Sequence, residues 1–359
     1  MTPSLDHLAR ITGARGVWQH ARHAVPDRRH GTCLDDNARA LWLCARLSRL
    51  APPDARLVDL ATTYASFVDH AWEAGEGRFR NFMSHDGRWL PDESASGEDE
   101  DAGARALLAL VETAASALPD GIAGWALDRA AEALASGASR RHRAPRAWAW
   151  SLAACRAAAA LPLDTDALAE DLAGRLLRRW RDAARPGWPW FEDALAYDAA
   201  RLAQGALDAS CLVPEGDRAA GLRAAGLEAL DWLGRLQTAP GGRFRPLGSE
   251  GYGRPGPPAR HAQQPLDAWA MIEAALAAGR LTGEARWREE AGRAHAWFLG
   301  GNDAGAALAE PETGACRDGI DPQGASVNRG AESTLAWLHA EVALRLDAAR
   351  GSSGDCGGA

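Results

Sequence analysis

The apolar residues of this chain recur every three or four positions almost throughout, which is the period of an amphipathic or buried α-helix. Alanine is abundant and β-branched residues are scarce, a composition that favours helix. No stretch shows the alternation of β-branched and aromatic residues that is typical of a strand. Breaks at proline, glycine and capping residues divide the chain into twelve predicted helices.

The twelve predicted helices fall into two classes that alternate along the chain. Six carry charged residues along one face and are expected on the outside of the molecule: 4–24, 54–73, 122–137, 164–183, 217–237 and 284–299. Six are apolar nearly all round after their first turn and are expected to be buried: 35–50, 100–116, 145–160, 191–212, 264–279 and 328–346. The sequence therefore contains a repeated helical hairpin of uneven length.

The connections between these helices differ in length according to their direction. Connections from a buried helix to the next outer helix are short, whereas three that lead back to a buried helix are long: 74–99, 238–263 and 300–327. Long loops in a compact domain are usually functional, and these would share one face of the molecule. We predict an all-α fold, a single (α/α)6 toroid over residues 1–348, with a disordered tail at 349–359. An α-solenoid is the alternative, although its repeats would be more uniform.

Composition and charge exclude several classes of protein. All 40 basic residues are arginine, so enzymes that need a reactive or phosphate-binding lysine are excluded, among them Schiff-base enzymes and P-loop nucleotide-binding proteins. The formal net charge of −8 argues against a nucleic-acid partner. The six cysteines are scattered and form no C-x-x-C pair, which indicates reduced thiols. No signal peptide or transmembrane segment is recognisable, so we expect no membrane partner and a cytoplasmic protein.

Polar residues gather at the start of the predicted buried helices, where a buried helix does not need them. Each alone is explained by helix capping, but their recurrence at several helix starts is not. If the helices form a ring, these side chains converge on one funnel. The candidates for this funnel are Asp35, Asp36, Asn37, Arg39, Arg146, Trp188, Trp190, Glu192, Asp193, Tyr197, His261, Gln264, Asp267, Asn328 and Glu332.

Four segments resemble the repeating motifs of a bacterial helical-toroid family: LDDNARALW, WFEDALAYDAARLAQGAL, QQPLDAW and VNRGAEST. That family occurs beside or fused to glycosyltransferases and is related to the (α/α)6 glycoside hydrolases. One departure is the stretch Asp198–Arg201, which lacks the asparagine expected after the aspartate, and no glycosyltransferase domain accompanies the toroid here. The resemblance implies sugar chemistry in a pocket that contains Asp35, Asp36, Glu192, Asp193, Gln264 and Glu332.

Convergent carboxylates beside aromatic rings are what a glycoside site requires. The leading hypothesis is therefore an inverting hydrolase of an oligosaccharide. It would use one carboxylate from Asp35, Asp36 or Glu332 and another from Glu192 or Asp193, with Trp188 and Trp190 stacking against the sugar. The alternatives are a sugar epimerase or isomerase and a non-catalytic glycan-binding partner of a glycosyltransferase. No cofactor or metal is expected, while the arginine-rich run at 140–146 allows a sugar with an anionic group.

Overall fold

The computed structural model describes residues 2–91, 98–253 and 257–352. Thirteen α-helices lie within these ranges. In chain order they are α1 (Asp6–Arg10), α2 (Leu34–Ser48), α3 (Ala55–Ala71), α4 (Glu98–Ala114), α5 (Asp120–Ala135), α6 (Ala138–Arg141), α7 (Pro145–Ala157), α8 (Asp166–Ala183), α9 (Ala200–Leu212), α10 (Asp217–Leu236), α11 (Pro265–Thr282), α12 (Arg286–Phe298) and α13 (Ala331–Ser352).

Six of these helices form a closed inner ring. Helices α2, α4, α7, α9, α11 and α13 each contact the next, and α13 contacts α2 to close the circle. Helices α3, α5, α8, α10 and α12 pack outside the ring, each against the inner helix that precedes it. The predicted all-α class and the (α/α)6 toroid are thus confirmed.

Burial explains why the inner helices are apolar on all sides. Every residue of α11 from Pro265 to Gly279 is buried, whereas the outer helix α8 buries only one apolar face. On the ring axis, Trp42, Trp150 and Trp269 form an aromatic layer with ring centroids 5.7–6.0 Å apart. His339 stacks on Trp269 at 4.7 Å and completes this layer. None of the described helices combines the length and apolar character needed to cross a bilayer.

Short antiparallel strands occupy the connections that lead from an outer helix, or from the short α1, to the next inner helix. The pairs in the described residues are β1 (Thr12–Gly13) with β2 (Gly16–Val17), β3 (His20–Arg22) with β4 (Val25–Asp27), β5 (Thr32–Cys33) with β8 (Phe82–Met83), β6 (Trp72–Glu73) with β7 (Arg78–Phe79), β9 (Ala194–Leu195) with β10 (Tyr252–Gly253), β11 (Ala309–Glu310) with β12 (Ala315–Cys316), and β13 (Ile320–Asp321) with β14 (Gly324–Ala325). These ribbons give the long connections a defined shape near the N-terminal ends of the inner helices.

The outer helix predicted over 4–24 is wrong beyond its first turn. Only α1 is helical, and the chain then forms the two hairpins β1–β2 and β3–β4. Gly16 adopts φ +108°, and a Cβ atom there would lie 2.3 Å from Oδ1 of Asn37. The hairpin turn therefore needs glycine, and it packs directly against the start of α2.

The buried helix predicted over 191–212 is also too long, because α9 begins only at Ala200. Residues 194–195 pair instead with β10, and Asp198 adopts φ +51°, which a helix does not allow. At the other end of the chain, α13 continues to Ser352, so the predicted tail begins too early. The remainder of that predicted tail, 353–359, lies outside the described residues.

Gly205 should be essential for the packing of α9 on α7. A Cβ at this position would lie 2.6 Å from the Cβ of Ala149, so Gly205→Ala should destabilise the fold by about 1–3 kcal/mol. Gly124→Ala is the matched control, since Gly124 is exposed within α5 and an added Cβ there would have no neighbouring atom within 4 Å. That change should be neutral or stabilising by up to about 1 kcal/mol. Urea denaturation measures both effects, and equal stabilities would contradict the close packing.

Candidate active site

A cavity of about 420 Å³ opens at the N-terminal ends of the inner helices. Its walls come from the starts of α2, α4 and α13, from the residue that precedes α11, and from the connections that carry the short strands. The cavity is lined by Gln19, His20, Cys33, Asp35, Asp36, Arg39, Asn81, Phe82, Arg105, Tyr197, Ser249, Gln264, Leu266 and Glu332. Six of these were predicted as site residues from the sequence: Asp35, Asp36, Arg39, Tyr197, Gln264 and Glu332.

Three carboxylates surround one buried guanidinium in this cavity. Nη1 of Arg39 lies 3.0 Å from Oδ2 of Asp35, 3.3 Å from Oδ1 of Asp36 and 3.2 Å from Oε2 of Glu332. The Arg39 side chain is 2% exposed, so this charge depends on carboxylate partners rather than on water. Asp35 and Asp36 belong to α2 and Glu332 to α13, so residues far apart in the sequence meet at one cation.

Asp35 has a second cationic partner and is held ionised. Nη1 of Arg105, on α4, donates to Oδ1 of Asp35 at 2.5 Å. Although burial alone raises the pKa of Asp35, the charges of Arg105 and Arg39 outweigh burial and lower this pKa below its usual range. Asp35 is therefore a carboxylate at neutral pH.

Asp36 and Glu332 are shifted in the opposite direction. Burial raises the pKa of Asp36 to about 7, and the charges of Asp35 and Glu332 add to that effect against the attraction of Arg39. Burial likewise raises the pKa of Glu332, although its side chain remains 41% exposed at the cavity. When the environments of neighbouring carboxyl groups shift their pKa values in opposite directions, the group with the raised pKa can act as an acid and the group with the lowered pKa as a base or nucleophile.

Tyr197 is a cavity residue that contacts Asp101 of α4 and Arg146 of α7. Its hydroxyl donates to Oδ2 of Asp101, and burial raises the pKa of Asp101 to about 6. The Arg146 guanidinium lies 5.1 Å from the Tyr197 ring centroid, and Nε of Arg146 donates to the Tyr197 carbonyl at 2.7 Å. Arg146 also pairs with Glu192 at 3.2 Å. These contacts hold Arg146 in place against Tyr197.

His20 is a cavity residue that the sequence analysis missed. It lies on β3, in the segment that periodicity assigned to a helix, so its position on a hairpin was not foreseeable from the pattern. Nδ2 of Asn328 lies 2.9 Å from its Nδ1, and Oδ1 of Asn328 accepts from the backbone of Ala21. Burial lowers the pKa of His20, which keeps the imidazole neutral at pH 7. Asn328, predicted to bind substrate, thus orients a side chain that reaches the cavity.

Two other predicted site residues, Asn37 and Asp267, are buried and form hydrogen bonds to the backbone of segments near the cavity. Asn37 is fully buried, accepts from Val17 N at 3.0 Å and donates to the Cys33 carbonyl at 2.7 Å, which fixes the hairpin to α2. Asp267 accepts from Asp198 N at 2.8 Å, and burial raises its pKa to about 7. Neither is among the residues that line the cavity.

Residues 188–193, between α8 and α9, do not reach the cavity, although four of them were predicted as site residues. Trp188 and Trp190 are 1% and 0% exposed, and both rings pack against Trp232. Glu192 pairs with Arg146 and Arg179. Asp193 is 85% exposed and pairs with Arg185 at 2.5 Å.

Glu192 and Asp193 were predicted in the first turn of a buried helix, but no helix forms at these residues because α9 begins only at Ala200. The proline between the two tryptophans and the pairing of β9 with β10 direct this segment into the outer layer, where the indole rings fill the core. His261 lies before α11, and it too is absent from the residues that line the cavity. No group of three or more potential metal ligands is found among the described residues.

Comparison with known proteins shows that the fold is shared with several solved structures. No family profile and no curated protein sequence matches the chain. Among solved structures, a sugar epimerase from a ruminal bacterium is 12% identical, with a TM-score of 0.68 over 94% of both chains. A cellobiose 2-epimerase from Spirochaeta thermophila is 16% identical, with a TM-score of 0.66 over 94% of this chain and 90% of that one. A GH76 α-mannanase from Bacteroides thetaiotaomicron is 10% identical, with a TM-score of 0.61 over 97% of this chain and 95% of that one.

Replacing Asp36 by asparagine should change how stability depends on pH. Because the pKa of Asp36 is raised to about 7 on folding, the folded protein keeps a proton that the unfolded chain releases near pH 4. The contribution of Asp36 to stability is therefore present at low pH and is lost as the pH rises from about 4 to 7. The free energy of unfolding of the unsubstituted protein should fall between pH 5 and pH 7, and in Asp36→Asn this fall should be smaller by about 1–2 kcal/mol.

Denaturant titrations at pH 5 and pH 7 measure this difference. Asp193→Asn is the matched control, because that carboxylate is exposed, and it should keep the original pH dependence. Parallel pH profiles for the Asp36 and Asp193 variants would contradict a buried, protonated Asp36.

Proposed function

We propose that this protein is a glycoside hydrolase in which Glu332 is the general acid and Asp35 is the attacking carboxylate. The observation that carries the proposal is that Asp35 and Glu332 both line the cavity and contact the same guanidinium nitrogen of Arg39, and the opposite shifts of their pKa values support it. The (α/α)6 toroid shared with a GH76 α-mannanase supports a carbohydrate-active enzyme at the level of the fold.

The two carboxyl groups would divide the reaction between them. Glu332 has a raised pKa and a side chain that opens onto the cavity, so it is suited to donate a proton to the departing glycosidic oxygen. Asp35 is ionised and held by Arg39 and Arg105, so it is suited to attack the anomeric carbon. Asp36 is 5% exposed and accepts from Arg39 Nη1 at 3.3 Å, which makes it a positioning residue for Arg39.

The spacing of these groups supports a retaining reaction. Oxygens of Asp35 and Glu332 lie 3.0 and 3.2 Å from the same nitrogen of Arg39, so these two oxygens are at most about 6.2 Å apart. Retaining enzymes hold their carboxyl groups about 5–5.5 Å apart, whereas inverting enzymes leave about 6.5–9.5 Å for a water molecule. This geometry favours a covalent glycosyl–Asp35 intermediate over the inversion expected from the sequence.

The cavity chemistry supports a largely uncharged sugar. Its arginines, Arg39 and Arg105, already pair with carboxylates, and Arg146 is engaged by Glu192. Phe82 supplies an apolar ring face, and Gln19, Asn81 and Gln264 supply amides for sugar hydroxyls. A volume of about 420 Å³ is within the range of small-molecule sites.

A sugar epimerase is the second candidate. His20 is a neutral imidazole on the cavity wall, which is the state that a base needs to remove a carbon-bound proton. Two of the structural neighbours described above are sugar epimerases. In this reaction His20 would take the proton, and a protonated Glu332 or Asp36 would return one to the opposite face.

Removal of either catalytic carboxylate should abolish most hydrolysis. On an oligosaccharide panel, Glu332→Gln and Asp35→Asn should each lower turnover by about 10²–10⁴-fold, the usual scale for an acid or base. Asp193→Asn removes an exposed carboxylate and should retain near-normal turnover. Turnover that survives both Glu332→Gln and Asp35→Asn would exclude the proposed pair, and sugar binding without any turnover would indicate a glycan-binding protein.

The sugar that water releases from the glycosyl–Asp35 intermediate should first appear with the anomeric configuration of the substrate. Proton NMR during the first turnovers measures this directly, because mutarotation is slower than a burst of hydrolysis. Release of the opposite anomer would contradict Asp35 as nucleophile. Carbon-bound deuterium in an unhydrolysed sugar, after incubation in D₂O, would instead support the epimerase reaction, and that exchange should disappear in His20→Gln.

A further inference from the structure

A second cavity lies at the opposite end of the ring. It measures about 450 Å³ and is bordered mainly by the C-terminal halves of inner helices, together with Arg201 and Gln204 from the first half of α9. Trp42 and Trp150 line it, so the aromatic layer on the ring axis separates it from the candidate active site. None of the residues proposed above for catalysis lines this cavity.

The lining of the second cavity carries excess positive charge. Four carboxylates, Glu112, Asp208, Glu273 and Asp347, face six arginines from the ring. Burial raises the pKa of Asp208 to about 6, so this carboxyl group loses its negative charge only as the pH falls below about 6. The six arginines are Arg46, Arg49, Arg156, Arg201, Arg280 and Arg350.

The favourable interaction of arginine with the C-terminal end of a helix explains only some of these six arginines. Arginine near a helix C-terminus complements the helix dipole, and Arg46 is bound by Glu273 at 2.5 Å. Arg201, however, lies in the first turn of α9, where the dipole disfavours a cation. The dipole therefore does not explain why an arginine occupies this position.

Arg201 has unused hydrogen-bonding capacity. Its side chain is 1% exposed, and its guanidinium stacks 3.9 Å from the Trp150 ring centroid. Nη1 donates to Gln204, but Nη2 has no hydrogen-bond partner among the described residues, and Nε is 3.5 Å from Asp198. Buried donors without a partner are uncommon and require an explanation.

Two further arginines are held loosely by their carboxylate partners. Arg156 lies 3.7 Å from Asp208, and Arg280 lies 3.7 Å from Asp347, both beyond hydrogen-bond distance. Their side chains are 52% and 40% exposed, so their guanidinium groups can reorient towards a ligand.

We propose that this second cavity binds a small molecule through a phosphate group. Guanidinium forks match phosphate oxygens, and Arg201 would supply the buried donor while Arg156 and Arg280 close around the anion. The rings of Trp42 and Trp150 offer an apolar surface to the rest of the molecule. The proposal does not depend on the reaction catalysed at the other end of the ring.

Isothermal titration of the full chain tests this site with inorganic phosphate and with glucose 6-phosphate, against sodium chloride at equal ionic strength. We expect a phosphate-bearing probe to bind with Kd below about 1 mM. Tighter binding of glucose 6-phosphate would assign the site to a phosphate ester, and equal binding would assign it to the free anion. The absence of binding heat above the chloride control for both probes would overturn the proposal.

Variants at the cavity mouth localise the binding. Arg156→Gln and Arg280→Gln should each weaken affinity by about tenfold or more, because each removes a charged hydrogen bond. Both side chains are partly exposed, so folding should survive. Arg178→Gln, on the exposed surface of α8, removes the same charge elsewhere and should leave affinity unchanged. Equal weakening in all three variants would show non-specific attraction and overturn the site.

Discussion

The ring closes between its first and last inner helices, and the buried guanidinium of Arg39 lies at that seam. Arg39 belongs to α2 and is bound by Glu332 of α13, while Nε2 of His339, also in α13, lies 2.9 Å from the Arg39 carbonyl. Helix α2 already supplies Asp35 and Asp36 to this buried charge, and closure of the ring brings Glu332 of α13 to it as a third carboxylate. The interaction that completes the toroid therefore also assembles the carboxylate cluster, so the fold and the candidate site share one requirement.

The same seam explains how two adjacent aspartates acquire different chemistry. Neighbouring residues on a helix point about 100° apart, so Asp35 reaches towards α4 while Asp36 stays beneath Arg39. Arg105 gives Asp35 a second cation and lowers its pKa, whereas burial, together with the charges of Asp35 and Glu332, raises the pKa of Asp36. The difference arises from the neighbouring inner helix, not from the dipeptide itself.

The sequence predicted the helices well because the contrast between inner and outer helices is a property of each segment. Asp35, Asp36, Arg39 and Glu332 were foreseeable because the first turns of apolar helices seldom need charge. The hairpin that carries His20, and the pairing of β9 with β10, depend on contacts between distant segments, and helical periodicity contains no information about them. Glu192 and Asp193 were misplaced on a helix for that reason, since a strand pairing and the positive φ of Asp198 end the pattern before α9.

The aromatic layer divides the ring axis, but buried charges connect its two sides. Two guanidinium groups contact the Trp150 ring, with Arg105 5.0 Å and Arg201 3.9 Å from its centroid. Asp198 is within 3.5 Å of Arg201 and 3.8 Å of Arg105, and Arg105 in turn holds Asp35 at 2.5 Å. Screening by salt is weak among groups this deeply buried. Arg201, Asp198, Arg105 and Asp35 therefore form one continuous series of buried charges that links the second cavity to the candidate active site.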